Sequence, residues 1–432
     1  MIDYKRLISA LLLNTLVLMA FAQNGVSPST NSPYTRYGFG LLSDQGFGNN
    51  KAMGGIGYGL RNGFHINVSN PASYSAVDSL TFIFDTGFSL QNANFKENNM
   101  KANVKNASFD YVAVQYRLYK RLGMTVGFVP YSTVGYNFQT AKNLVDEHTN
   151  ASVTSTSSYD GSGGIQQVFV GLGYNLLRNL SIGFNASYLY GDIDHSVSTS
   201  FSNANAYISV KSDEIAVRDY KLDLGLQYTL NMNKDHKLTI GAIYGLGHKM
   251  NAKGYRYNEL KMNNNGSLVT LTYSGDTIRR GFELPKTLGA GFTYNYKDKL
   301  TIGADFTFQQ WGDTSFFGEK NQLTNRKKLS AGLEYLPDKI GRSYYKRIYY
   351  RTGAYYSEPY TKINGQRGAQ EYGVSIGVGL PIFLYNYKSF LNLSGQYVHV
   401  KPKVSGMLEE NYLRINIGLT FNERWFMKWK VD

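Results

Sequence analysis

Leu300-Thr301-Ile302-Gly303-Ala304-Asp305-Phe306-Thr307-Phe308 alternates along its whole length. Leu300, Ile302, Ala304, Phe306 and Phe308 point to one side of a strand and Thr301, Gly303, Asp305 and Thr307 to the other, because strand side chains repeat with period two. The phrasing returns as Met124-Thr125-Val126-Gly127-Phe128, Leu180-Ser181-Ile182-Gly183-Phe184-Asn185 and Leu238-Thr239-Ile240-Gly241-Ala242. In a soluble sandwich the apolar side would meet a core. In a membrane barrel it meets lipid, and the small or polar side meets the lumen.

The N-terminus chooses between them. Lys5 and Arg6 precede an apolar run from Leu7 to Ala22, which closes on the small-x-small pattern Ala20-Phe21-Ala22. This reads as a secretory signal peptide over residues 1–22, too short for a membrane anchor. Beyond it no stretch reaches the ~20 apolar residues of a membrane helix. An exported chain of alternating segments without such a helix reads as an outer-membrane barrel, where closure satisfies every backbone group. The 432 residues contain no cysteine, which excludes a lipoprotein anchor and disulfides. Aromatic residues make up 15%, as expected if strands carry girdles at both interfaces. The +14 charge is scattered, as on solvated loops and turns, and nothing else points to nucleic acid.

Alternating segments run over 79–91, 107–118, 122–138, 165–176, 179–195, 216–230, 235–250, 284–297, 299–310, 326–336, 347–357, 370–383, 388–401 and 410–422. The expected fold is therefore all-β: a transmembrane antiparallel β-barrel of about 14 strands over residues 79–422. Tight links at Tyr119-Lys120-Arg121, Leu177-Arg178, Asn231 to Lys234, Asp298 and Leu384 to Tyr387 alternate with long polar links such as 139–164, 196–215 and 251–283. Short periplasmic turns and long external loops give that rhythm. In the last strand Leu413, Ile415, Ile417, Leu419 and Phe421 face one way. The residues 423–432, with Trp425, Phe426 and Trp429 among Arg424, Lys428 and Lys430, read as a periplasmic interfacial tail. Residues 23–78 are rich in Gly, Asn and Ser yet carry Phe39, Leu41, Leu42, Phe47, Met53, Ile56 and Phe64. They read as a hatch folded into the lumen, with Gly54, Gly55, Gly57, Gly59 and Gly63 permitting tight backbone paths.

Ala52-Met53-Gly54-Gly55 leading to Ser69-Asn70-Pro71-Ala72-Ser73, just before the first strand, resembles the long-chain fatty-acid transporter (FadL-like) family of outer-membrane barrels. The opening Asn31-Ser32-Pro33-Tyr34-Thr35-Arg36-Tyr37-Gly38 looks like the version found in Bacteroidota. The resemblance implies a fourteen-stranded barrel and a hatch whose Asn-Pro-Ala motif is here Asn70, Pro71 and Ala72. It also implies passage of hydrophobic small molecules into the membrane through a lateral gap at a kinked third strand. Pro130 and Gly135 lie in the third segment, and proline is confined in sheets to edges and bulges. Family members in Bacteroidota also serve protein secretion or outer-membrane assembly complexes, so the expected partners are outer-membrane lipid with either hydrophobic solutes or other envelope proteins.

The catalytic inventory is thin, and the expectation is no enzyme, no cofactor and no metal. His65, His148, His195, His236, His248 and His399 form no His-Glu-x-x-His pair. Gly373-Val374-Ser375-Ile376-Gly377 matches a nucleophile string but lies inside a strand with no following helix. Asp192 and Asp194 share a face from which His195 points away, as on a solvated strand end.

Overall fold

The computed structural model describes residues 30–424 apart from 98–99, 146–151, 204, 265–266, 383–388 and 404–406. The expected leader and most of the expected tail, as well as the Leu384 to Tyr387 turn, fall outside the described residues. Fourteen antiparallel strands close into one ring: β1 (Thr81–Glu97), β2 (Met100–Tyr119), β3 (Leu122–Val145), β4 (Ser152–Asn175), β5 (Leu180–Phe201), β6 (Ile208–Asn231), β7 (His236–Gly245), β8 (Thr287–Tyr296), β9 (Leu300–Gln309), β10 (Arg326–Tyr335), β11 (Tyr349–Ser357), β12 (Gln370–Ile382), β13 (Ser389–Lys401) and β14 (Glu409–Arg424). The ring closes where β14 pairs with β1, from Thr81↔Arg424 to Lys96↔Glu409. Each segment read from the sequence corresponds to one strand.

The alternation decides which face is wet. On β9 Ile302 and Phe306 are exposed while Asp305 is buried. On β14 Leu413, Ile415 and Ile417 are exposed while Tyr412, Asn416 and Thr420 are buried. Exposed tyrosines form two belts on the outer wall: Tyr174, Tyr228, Tyr335 and Tyr350 at the periplasmic ends, and Tyr188, Tyr220, Tyr244, Tyr372 and Tyr397 near the other. Aliphatic and phenylalanine side chains fill the zone between, as the bilayer requires. Among the described residues no helix is long and apolar enough to cross a membrane.

Three expected loops are strand instead. Links 139–164 and 196–215 consist largely of continuations of β3 to β6, and 251–283 is mostly a hairpin, Ala252–Asn264 with Ser267–Arg279, whose first strand pairs with β6. These stretches stand beyond the lipid, so neither face need be apolar and the period-two signal vanishes. Their Ser, Thr, Val and Tyr content still favours extended backbone.

Residues 30–78 lie against the inward faces of strands around the ring. The short helix α1 (Gly48–Ala52) borders β12, β13 and β14, and the 3₁₀ turn Pro71–Ala76 borders β3 to β6. Backbone meets backbone at glycines of the wall. Gly54 adopts φ +68°, and a Cβ on Gly353 would collide with Gly54 N. A Cβ on Gly183 would strike the Pro71 backbone.

Candidate functional site

The ring is unequally sewn. β2 and β3 share partners only from Tyr119↔Leu122 up to Val112↔Phe128. Above that level β2 stays paired with β1 and β3 with β4, and among the described residues the two edges share no further pair. Each edge carries an extra residue just past the last shared pair: Asp110 in β2, opposite the Gly87/Phe88 step, and Tyr131 in β3, between Pro130↔Gln166 and Ser132↔Ile165. Bulges bend a strand and end pairing, and proline, which lacks a donor, suits such an edge. The distortion continues into β4 and β5, where Gly163, Gly164 and Gly191 have φ +102°, +147° and +149° and the pairing skips from Gly163↔Ile193 to Gln166↔Tyr190. A span takes about 9–11 tilted residues, and Phe128 is the seventh residue of β3. The seam therefore begins in the outer part of the bilayer.

The inner segment bonds to both edges. On β3, Leu41 and Leu42 form an antiparallel pair with Thr133 and Ser132, and Ser43 N donates to Tyr131 O at 3.0 Å. Gln45 Nε2 donates to Pro130 O at 3.2 Å, and Gly135 N donates to Thr35 Oγ1 at 3.2 Å. On β2, Lys51 Nζ meets Asp110 at 2.6 Å, and Asn31 Nδ2 donates to Asn106 at 3.0 Å. Tyr111 OH accepts from Gly48 N at 2.9 Å while its ring stacks on Phe47 at 3.8 Å. Unpaired backbone in hydrocarbon costs several kcal/mol per group, so these contacts stand in for part of the missing ladder.

Beside the seam the interior is apolar. Tyr131, Val134, Ile165, Leu189, Ile193, Ile215 and Val217 are buried inward around Phe39, with Phe282 and Trp311 across the cluster. Toward the periplasm the inner wall turns polar: Gln115, Thr125, Asn185, Gln227 and Thr239 are buried there. A cavity of about 90 Å³ lies between Ser32, Tyr34 and Thr35 and the inner faces of Arg326, Glu371, Glu410 and Arg414.

The other residues singled out in the sequence lie elsewhere. Asn70 caps the 3₁₀ turn, its Oδ1 accepting from Ala72 N at 3.1 Å and its Nδ2 donating to Tyr58 O and Leu226 O at 2.9 and 3.0 Å. Pro71 is the first residue of that turn, and Ala72, fully buried, presents its carbonyl to Arg61 at 3.1 Å. Thus Asn70, Pro71 and Ala72 group near the periplasmic end, while Pro130 and Gly135 border the seam. Ser375 is a buried strand residue that donates to Ala52 O and accepts from Gly54 N, both at 3.0 Å. Asp192 is bridged to Arg218 at 3.1 Å, and His195 Nδ1 shares a hydrogen bond with Tyr136 OH at 2.9 Å, so the three form no constellation. Among the described residues no group of acidic and histidine side chains could hold a metal. Sequence reasoning missed Thr35, Gln45, Lys51, Asp110 and Tyr111. Asp110 carried a weak signal, a charge inside a strand.

A family model named BamG matches the chain from residue 1 to 432. The chain belongs to the BamG family. No curated protein matches this BamG-family chain. Among solved structures it resembles a Pseudomonas aeruginosa FadL homologue (12% identity, TM-score 0.61, 89% of this chain and 100% of that one). It also resembles the Pseudomonas putida toluene transporter TodX (16%, 0.59, 89% and 100%) and the Ralstonia pickettii toluene transporter TbuX (14%, 0.55, 89% and 99%). At these identities the likeness is one of fold, and it matches the expected architecture. The fold is that of an outer-membrane β-barrel.

Proposed function

We propose that this barrel passes hydrophobic small molecules between its outer lumen and the membrane through the seam between β2 and β3, with residues 23–78 as a hatch that latches it. In this reading Asn70, Pro71 and Ala72 anchor the hatch, Pro130 and Gly135 mark the lateral gap, and the protein is the Bacteroidota version of the fold. The observation that carries it is the apolar interior around Phe39 where the seam begins. The lumen of a porin-like barrel is polar, and an apolar lining beside a lateral break suits a solute that prefers lipid to water. The toluene transporters of the same fold are consistent with that chemistry.

A lock tests the reading. Leu42 and Ser132 are register partners, and the chain has no cysteine of its own. Leu42→Cys with Ser132→Cys should form a disulfide that pins the latch to β3. Uptake of a hydrophobic fluorescent probe should stop on oxidation and return on reduction. Undiminished uptake in the oxidised, correctly inserted barrel would remove the seam as the route.

A second reading, an accessory barrel of a secretion or outer-membrane assembly complex, is favoured by the BamG family match and by the close fit of residues 30–78 to the lumen wall. Stoichiometric envelope proteins on the purified barrel, together with uptake indifferent to the lock, would move the assignment there.

A further inference from the structure

Buried polar contacts climb the inner wall from the periplasmic mouth to the latch. Glu334, next to the periplasmic end of β10, accepts from Arg351 Nε at 2.6 Å, and Arg351 Nη1 donates to Asn392 Oδ1 at 2.6 Å. Asn392 Nδ2 donates to Thr420 Oγ1 at 3.3 Å, and Thr420 donates to Asp85 Oδ2 at 3.0 Å. The other oxygen of Asp85 accepts from Tyr111 OH at 3.0 Å, and that hydroxyl receives Gly48 N, the first residue of α1. Arg351, Asn392, Thr420, Asp85 and Tyr111 are each at most 3% exposed, whereas the Glu334 side chain is 20% exposed toward the mouth. Among the described residues no cation pairs with Asp85. Its two oxygens depend on two hydroxyl donors, one of which also holds the latch helix.

We propose that this chain of side chains is a relay by which a basic or hydrogen-bond-donating group reaching Glu334 from the periplasm loosens the seam latch. Only Glu334 can be approached from outside, and it offers acceptors alone, which sets the chemistry of the input. Drawing Glu334 away frees Arg351 to pull on Asn392. The Thr420 hydroxyl then turns from Asp85, and Tyr111 loses the acceptor that fixes its hydroxyl under Gly48. Phe47, the residue just before α1, stacks on the Tyr111 ring and Lys51 within α1 meets Asp110, so release of the helix frees the β2 edge. The relay rests on the reading of the seam as an opening, but its test does not use transport.

The test places one cysteine at Val129, an inward residue at the seam that is 3% exposed, in the otherwise cysteine-free full-length barrel, and measures its rate of reaction with a bulky water-soluble maleimide. Tyr111→Phe, Asn392→Leu and Glu334→Gln should each raise that rate, by about tenfold for the first two, the size of a typical through-structure coupling. Tyr111→Phe combined with Asn392→Leu should add little, because both cut one path. Ser330→Ala, equally buried on β10 but outside the relay, should leave the rate unchanged. Heat-modifiable migration confirms that each variant is a folded barrel. A wild-type rate in Asn392→Leu alongside a raised rate in Tyr111→Phe would overturn the relay, as would full additivity of the two. Failure of the disulfide lock to alter uptake would instead strike the transport reading and leave this outcome standing.

Discussion

Asn70→Ala should release the inner segment from the wall while leaving the barrel intact. Asn70 is fully buried: its Oδ1 accepts the cap bond from Ala72 N, and its Nδ2 donates to Tyr58 O and Leu226 O, with Ala242 O farther off at 3.5 Å. Loss of an N-cap costs about 1 kcal/mol, and each lost buried hydrogen bond costs about 1 kcal/mol net. Tyr58 O keeps the Gln227 Nε2 donor at 2.9 Å, so its acceptor is not orphaned. The total is then about 3 kcal/mol, somewhat more if the vacated space stays empty. Denaturant titration of the vesicle-inserted barrel measures it, with protease cleavage within residues 30–78 reporting the segment and heat-modifiable migration reporting the barrel. Asn70→Asp keeps the cap acceptor, loses both donors and buries a charge, so it should cost at least ~2 kcal/mol. A cost below ~1 kcal/mol for Asn70→Ala, or loss of barrel and segment in a single transition, would refute the reasoning.

Ile302→Arg should cost about 1–3 kcal/mol in folding titrations, because it puts a cation on the lipid face between the periplasmic tyrosine belt and mid-span. Asp305→Asn should cost far less, since an amide oxygen can still accept from Gly57 N and Tyr58 N; the reverse order would mean the register is wrong by one. Docking of the inner segment should weaken in acid. His65 is buried at the periplasmic mouth beside Phe390, and burial first, then Arg351, holds its pKa well below the ordinary value. The folded form therefore keeps it neutral while the undocked form takes a proton below about pH 6.5. Stability is whole above that pH and drains away beneath it, which protease protection of residues 30–78 between about pH 7.5 and 5 measures; His65→Leu should flatten the profile.

The lipid-facing wall was legible because the bilayer enforces period two on every strand it touches. Leu413, Ile415 and Ile417 announce their face without reference to any neighbour. Past the bilayer the constraint lapses, and Ser152 to Gly164, Ala252 to Asn264 and Ser267 to Arg279 read as loop though they are strand. The turn at Asn70 and Pro71 was open to such a reading, because an asparagine side chain accepts from the backbone two residues on and proline suits the start of a turn. The seam was not. Met100 to Asp110 and Val129 to Val145 are ordinary strand sequences, and nothing within either says that the other is no longer its partner. The inward apolar set of Ile165, Leu189, Ile193, Ile215 and Val217 hides for a related reason, since it forms only when β4, β5 and β6 bring their inward residues side by side.

The inner segment precedes β1 in the chain, and β1 is the strand on which β14 closes the ring. The portion made first is thus enclosed by the pairing made last. Closure joins Thr81 to Lys96 with residues more than three hundred positions away, a loop whose entropy must be spent before its hydrogen bonds form, so the step should be slow. Until then the segment is a docked guest that can leave sideways; afterwards the wall makes it captive, and it can only slide lengthwise. A variant that weakens docking should therefore do more harm during assembly, when the segment can still be left outside, than in the finished barrel, where an undocked segment remains within reach of its site.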